Sequence, residues 1–180
     1  MTTILLVRHG ETDWNLQRRL QGHSDTPLNE RGREQARALA AELADEPIDA
    51  VYSSDLVRAH ETARIVAEQH GLDVTASDDL RERHFGTWEG LHDDEIEARL
   101  PEAANGVIGD GETREAMARR VFDALHRIAG RHPDGHVLVV SHGGPLRAVL
   151  RHCGVDGVER IENCHVVRIE AGDGALRDIH

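Results

Sequence analysis

Three short aliphatic runs stand out along the chain: Ile4–Val7, Ala50–Tyr52 and the Val-Leu-Val-Val of His136–Val140. Each is too short and too uniformly apolar for a helix face, and reads as a strand buried on both sides. Between them apolar residues recur at helical spacing. Asn29 can cap a helix to about Ala44 with Ala36, Leu39, Ala40 and Leu43 inward, and Asp55 can cap a second with Leu56, Ala59, Ala63, Ile65, Val66 and Ala67 inward. Thr113 to about Arg131 is the longest helical pattern, with Ala116, Val121, Leu125 and Ile128 on its apolar side. A short helix is expected from Ile96 to Leu100, ended by Pro101, and another from Pro145. Residues 11–28 and 81–90 read as irregular, and Asn105–Gly111 as a glycine-rich link. Val166–Glu170 and Ala175–Ile179 flank Gly-Asp-Gly and read as a hairpin. Strand and helix alternate, which predicts an α/β fold: a three-layer α/β/α sandwich around a mostly parallel sheet.

In such sheets the ligand crevice lies beyond the carboxyl ends of the strands. Two strands end alike, in Val-Arg-His-Gly at residues 7–10 and Ser-His-Gly-Gly at residues 141–144. The topology would therefore deliver His9 and His142 to one crevice. A neutral histidine can attack phosphorus, and a neighbouring arginine can fork two phosphoryl oxygens.

Composition sharpens this. All 21 basic residues are arginine, against 33 acidic ones, for a formal net charge of -12. Without lysine there can be no P-loop, Schiff-base or protein-kinase chemistry. The charge disfavours nucleic acid or an anionic membrane as partner, and no apolar run reaches spanning length. Cys153 and Cys164 form neither a disulfide framework nor a metal-ligand pair, and read as buried reduced thiols. With no secretory leader before the first strand, the expected location is cytoplasmic.

The motifs fall in a recognisable order. Leu6-Val-Arg-His-Gly-Glu-Thr12 comes first, then Asn15, Gln21-Gly22 and Asp25-x-Pro27-Leu28. Ser53-Ser-Asp-Leu-x-Arg58-Ala59-x-x-Thr62-Ala63 and Leu80-Arg81-Glu82 with Phe85-Gly86-x-Trp88-Glu89-Gly90 follow, then Ser141-His142-Gly143-Gly144 and Glu162-Asn163-Cys164. Together they resemble the histidine phosphatase superfamily, the phosphoglycerate-mutase-like enzymes, across nearly the whole chain. The resemblance implies a single domain over residues 1–180, with a short lid around residues 90–111. It implies that His9 is the nucleophile of a phosphohistidine intermediate. Arg8, Arg58 and His142 would bind phosphoryl oxygens, and Glu82 would serve as general acid and then base. Asn15, Gln21, Gly22 and Gly143 would complete the phosphate pocket. Glu89, seven residues after Glu82, is the other candidate acid. No metal and no cofactor is expected, since arginine and histidine supply the positive field.

Within the superfamily the reading is a phosphomonoester phosphatase acting on a small phosphorylated metabolite. The alternatives are a cofactor-dependent phosphoglycerate mutase and a catalytically weak phosphate-binding protein. Mutases carry tyrosine where this chain has Phe85, and a longer insertion with a lysine and paired arginines. Here residues 90–111 hold Arg99 as their one cation, which suggests an open, weakly basic entrance. Family habit implies a homodimer. Which phosphomonoester is the substrate is not written in the motifs.

Overall fold

The aliphatic runs become the centre of one mixed sheet in the computed structural model, which describes residues 1–103, 107–172 and 174–179. Its strands are β1 (Thr2–Arg8), β2 (Ala50–Ser54), β3 (Val74–Ser77), β4 (His136–Ser141), β5 (Val166–Gly172) and β6 (Ala175–Asp178), in the spatial order β3-β2-β4-β1-β5-β6. β1, β2, β3 and β4 run parallel; β5 and β6 are antiparallel at one edge. The helices are α1 (Asp13–Leu16), α2 (Glu30–Glu42), α3 (Val57–His70), α4 (Asp93–Arg99), α5 (Arg114–Arg131) and α6 (Gly143–His152).

Strand periodicity sorts the core into two layers. Ile4 and Leu6 of β1, with Val137 and Val139 of β4, pack with Val121, Leu125 and Ile128 of α5 and with Leu146 and Val149 of α6. Their alternating neighbours Leu5, Val7, Leu138 and Val140 pack with Leu39 of α2 and with Ala59, Ala63 and Val66 of α3. Successive strand side chains point to opposite faces, so a continuous apolar run demands a helical layer on each side. That is the three-layer sandwich expected from the pattern. β5, by contrast, alternates between buried Val167, Ile169 and Ala171 and half-buried residues, as an antiparallel strand near the edge should.

Local expectations fared unevenly. Asn29 caps its helix as read, accepting from the Gly32 N–H; Thr113, read as the first residue of the longest helical pattern, is its cap, accepting from the Ala116 N–H. Asp55 does not cap the second helix, which starts at Val57. The Asp55 carboxylate is instead held by Arg81 through two bonds of 2.7 and 2.6 Å, and Leu56 takes the cap position without a side-chain bond. α6 starts at Gly143, two residues before Pro145, because proline is tolerated anywhere in a first turn whose N–H groups have no helical partner. α4 begins at Asp93, its acidic first turn favoured by the helix dipole, and Pro101 sits inside a further 3₁₀ turn, Leu100–Glu102. The one-turn α1 lies in a stretch read as loop, and β3 was not foreseen at all; its Val-Thr-Ala-Ser is too short and too exposed to carry a pattern. Asn105 and Gly106 of the expected link, and Asp173 of the hairpin turn, lie outside the described residues.

Candidate active site

β1 and β4 are neighbours, with Arg8 paired to Ser141 in the register. Each chain continues straight past its strand end, so His9 and His142 arrive side by side, with ring centroids 5.1 Å apart. The backbone N–H of His9 donates to the Ser141 carbonyl at 3.0 Å, and its carbonyl accepts from Asn163 Nδ2 at 2.9 Å. The His9 ring is 3% exposed, and its Nδ1 lies 2.6 Å from the carbonyl of Gly10. A carbonyl can only accept, so Nδ1 carries the proton and Nε2 is left with its lone pair. Burial, followed by the charges of Arg58 and Arg8, lowers the His9 pKa well below 6.5 and keeps the ring neutral. The Gly10 N–H donates to Thr62 Oγ1 at 3.1 Å, and that hydroxyl donates to the carbonyl of Arg58 at 2.7 Å, which ties the histidine loop to α3.

Arg58 is 1% exposed. Two of its N–H groups are spent on the backbone: Nη1 on the Ser24 carbonyl and Nη2 on the Gly22 carbonyl, both at 2.8 Å. Burial brings its pKa to about 10, so it stays charged at neutral pH. Arg8 donates through Nη1 to the Ile161 carbonyl. Its pKa is lowered by burial, an effect opposed by the Glu82 carboxylate and reinforced by Arg147 and Arg160. The Nε atoms of both arginines are buried without a partner, and so are both ring nitrogens of His142. Burial and the charges of Arg58, His9 and Arg8 lower the His142 pKa well below 6.5. Orphaned buried donors are costly. The Nε–H groups of Arg8 and Arg58 and the one N–H of a neutral His142, buried beside His9, are the donors an oxygen-rich anion needs.

The two candidate acids have different surroundings. Glu89 is consumed by loop backbone: it accepts from the N–H groups of His23, Ser24 and Phe85 at 2.8, 2.8 and 3.1 Å, and from the Ser24 hydroxyl at 2.6 Å. It thereby fixes the loop whose carbonyls hold Arg58, and a Cβ on Gly22, which has φ +55°, would lie 2.2 Å from its Oε1. Glu82 instead lines the cavity. Its Oε2 accepts from the N–H of Gly144 at 3.0 Å and its Oε1 from the N–H of Arg83 at 2.8 Å. The approach to α6 is so close that a Cβ on Gly144 would lie 2.0 Å from Oε1, which gives the second glycine of Ser-His-Gly-Gly its reason.

Behind Glu82 sits Arg120 of α5, whose five donor contacts use its whole guanidinium. Nε and Nη2 take the two Glu112 carboxylate oxygens at 2.8 Å each. Nη1 takes the carbonyls of Asp79 and Arg81 at 3.0 and 2.8 Å, and Nη2 takes the carbonyl of Glu82 at 2.7 Å.

Arg8, His9, Asn15, Gln21, Gly22, Arg58, Glu82 and Gly143 all line one cavity of about 480 Å³. Asn15 Oδ1 accepts from the Thr12 N–H at 3.1 Å, which leaves its amide hydrogens to offer. Gln21 is braced through its Oε1 by the hydroxyls of Thr12 and Thr26. Reading the sequence missed Arg120, the brace that Asn163 of the last motif gives the His9 carbonyl, and the organising role of Glu89. It also missed four cavity-lining arginines, Arg18, Arg19, Arg147 and Arg160. These correct the expectation of a weakly basic entrance: the cations come from the segment after α1, from α6 and from the loop before β5, not from residues 90–111. Cys153 and Cys164 are free and only half-buried; burial pushes the Cys164 thiol up to about 12. Among the described residues no group of three His, Cys, Asp or Glu could hold a metal ion, and no helix is long and apolar enough to cross a membrane.

Comparison with known proteins shows the family and the fold. The family profile of the histidine phosphatase superfamily (branch 1) matches residues 4–177. The chain is 44% identical to a metal-independent phosphoserine phosphatase of Arabidopsis thaliana over 161 residues, covering 83% of this chain and 67% of that one. It is 41% identical to phosphoglycerate mutase-like protein 4 of the same plant over 184 residues, covering 95% and 80%. Among solved structures, a mycobacterial glucosyl-3-phosphoglycerate phosphatase in complex with VO3 superposes with a TM-score of 0.86 at 30% identity, covering 98% and 96%.

Proposed function

The chain belongs to branch 1 of the histidine phosphatase superfamily, and from that premise we propose that it hydrolyses a small phosphorylated metabolite through a phosphohistidine on His9. The observation that carries this reading is the set of orphaned nitrogens of Arg8, Arg58 and His142 around a histidine whose tautomer is fixed by the Gly10 carbonyl.

In the first step the lone pair of His9 Nε2 attacks phosphorus. The N–P bond forms as the bond from phosphorus to the ester oxygen breaks, and the Glu82 carboxyl gives its proton to the departing alkoxide. In the second step Glu82, now a carboxylate, takes a proton from water. The water oxygen attacks phosphorus, the N–P bond breaks, and its electron pair returns to Nε2 with release of inorganic phosphate. Charge on the equatorial oxygens is met throughout by Arg8, Arg58 and His142, with the amide of Asn15 and the first turn of α6 at Gly143 beside them. Gln21 and Gly22 act from behind: the Gly22 carbonyl anchors the Arg58 fork. The machinery lies within one domain over residues 1–180.

Turnover of 4-nitrophenyl phosphate in excess chelator, with phosphate on His9 trapped by acid-free mass spectrometry, tests the reading. A wild-type protein no faster than His9→Ala would overturn it. The mutase reading is kept because four arginines reach the cavity and a mutase-like relative matches over 95% of the chain. Isomerisation of 3-phosphoglycerate with its bisphosphate cofactor outpacing phosphate release would favour it. Cytoplasmic residence, supported by two free thiols, and a homodimer complete the proposal; sedimentation reads the latter.

A further inference from the structure

Phosphoryl transfer needs two groups in register: a cation on the equatorial oxygens and an acid on the oxygen that leaves. Here the cation Arg58 stands on α3 and the acid Glu82 on the irregular stretch after Leu80. Neither segment carries the other, so the contacts between them set the spacing. Arg81 and Asp55 join them by an ion pair, but its side chains are 33% and 32% exposed, and such pairs hold little. Glu89 joins the loop at residues 22–24 to the N–H of Phe85. His23 reaches Glu82 itself.

His23 stands between Gly22 and Ser24, the two residues whose carbonyls take the Arg58 guanidinium. Its backbone N–H donates to Glu89 Oε1 at 2.8 Å. Its ring Nε2 lies 2.9 Å from the carbonyl of Glu82. A carbonyl can only accept, so Nε2 carries the proton and donates it. The ring lies against that of His84, with centroids 4.7 Å apart, and His84 Nε2 is 3.8 Å from Glu89 Oε1. Burial lowers the His23 pKa from 6.5; the bond to the Glu82 carbonyl opposes this, and His84, Arg120 and Arg81 add to it. A neutral ring can sit among two arginines and a second imidazole and still offer one N–H. The Glu82 carbonyl thus has two anchors, Arg120 Nη2 at 2.7 Å and His23. The first fixes the acid to α5, the second to the loop that grips Arg58. His23 is not among the residues lining the phosphate cavity, so it acts through the groups it holds.

We propose that His23 is a positioning residue that keeps the Arg58 fork and the Glu82 acid in register, through one hydrogen bond from the loop at residues 22–24 to the main chain of the acid. The claim rests on the phosphatase reading above. It adds to that reading a residue that neither binds the phosphoryl group nor transfers a proton.

The test separates reach from polarity. His23→Gln carries an amide N–H to about the place of Nε2, whereas His23→Asn carries the same amide one methylene short of the Glu82 carbonyl. Values of kcat and KM are measured for ethyl phosphate, which needs the acid, and for 4-nitrophenyl phosphate, which needs little help. The temperature is one at which circular dichroism shows all three proteins folded. A misplacement of 1 Å is worth roughly 10²-fold in rate. With Arg120 still in place, His23→Asn should lower kcat for ethyl phosphate about tenfold more than kcat for 4-nitrophenyl phosphate, at nearly constant KM. His23→Gln should return the ratio of the two kcat values to within about threefold of the wild type. A purely structural role would lower Tm and slow both esters alike. An unchanged ratio in His23→Asn overturns the proposal, with the phosphatase reading left standing. A ratio that falls equally in both variants overturns it too, because then reach to the Glu82 carbonyl does not matter. No turnover of either ester by the wild-type protein overturns the phosphatase reading and this proposal with it.

Discussion

Replacing Arg120 with methionine keeps the length of the side chain and removes its donors. The Glu112 carboxylate then loses its bidentate partner, with only the 3.3 Å bond from the His84 N–H still described. The carbonyls of Asp79 and Arg81 lose theirs as well, and the Glu82 carbonyl keeps only His23 Nε2 at 2.9 Å. Breaking a buried ion pair costs about 3–5 kcal/mol. Here the two side chains are 20% and 18% exposed, and water can reach part of the gap, so the lower end, about 3 kcal/mol, applies. For a chain of this size that is roughly a 6–12 °C fall in Tm.

The catalytic effect should be separable from that loss. The Glu82 backbone would lose the anchor that Arg120 gives its carbonyl, while Gly144 and Arg83 still hold the carboxyl and Arg8 and Arg58 are untouched. A displacement of about 1 Å at the acid is worth roughly 10²-fold in rate. The loss must fall on esters that need protonation: kcat for an alkyl phosphate should drop far more than kcat for 4-nitrophenyl phosphate, whose leaving group needs little help, with KM nearly constant. Arg120→Lys keeps the charge but not the five-donor fork, and should recover part of the stability and little of the alkyl-ester rate. The assay is a two-substrate kinetic comparison at a temperature where circular dichroism shows all variants folded. If Arg120→Met lowers Tm while both substrates slow equally, Arg120 holds the fold and not the acid, and the reasoning fails.

Other outcomes follow from the same geometry. Arg58→Lys cannot span the carbonyls of Gly22 and Ser24 and still face a phosphoryl group, so kcat/KM should fall about 10²–10³-fold; a loss under tenfold would show that the fork is dispensable. Gly144→Ala puts a methyl where Glu82 Oε1 sits. It should cut alkyl-ester turnover severely while vanadate inhibition, which reads the arginines, persists. In the free protein His9 and His142 have folded pKa values below the unfolded value of 6.5. The unfolded chain then binds protons that the folded one does not, and stability is lost as pH falls below 6.5, at about 2.7 kcal/mol per pH unit for two imidazoles. Urea titrations at pH 7.5 and 5.5 check the slope; a flat profile would refute it. Glu89→Ala should slacken the loop at residues 22–24 and weaken phosphate binding, read as a higher product-inhibition constant, although Glu89 lies outside the cavity lining.

Much of this site was legible in one dimension because its parts sit at strand ends. An aliphatic run predicts a buried strand, and the residue after it emerges at the sheet's edge; His9 and His142 needed no more than that. Arg58 and Glu82 were found through the order of the motifs, since nothing in a helical Arg or a loop Glu marks it alone. Glu82 and Glu89 could not be separated by pattern: both are acids in one irregular stretch, and only their hydrogen bonds, four to loop donors for Glu89 and two at the cavity wall for Glu82, tell them apart.

The chain's own order of residues therefore determined the sandwich, the strand-end histidines and the chemistry, because burial periodicity and tautomer control are local properties. Tertiary structure alone decided what surrounds them. The Arg120 fork, the Asn163 brace and the four entrance arginines join segments scattered from residue 9 to residue 163. Contacts between distant segments leave no spacing to read, because their partners are chosen by packing in space and not by position along the chain.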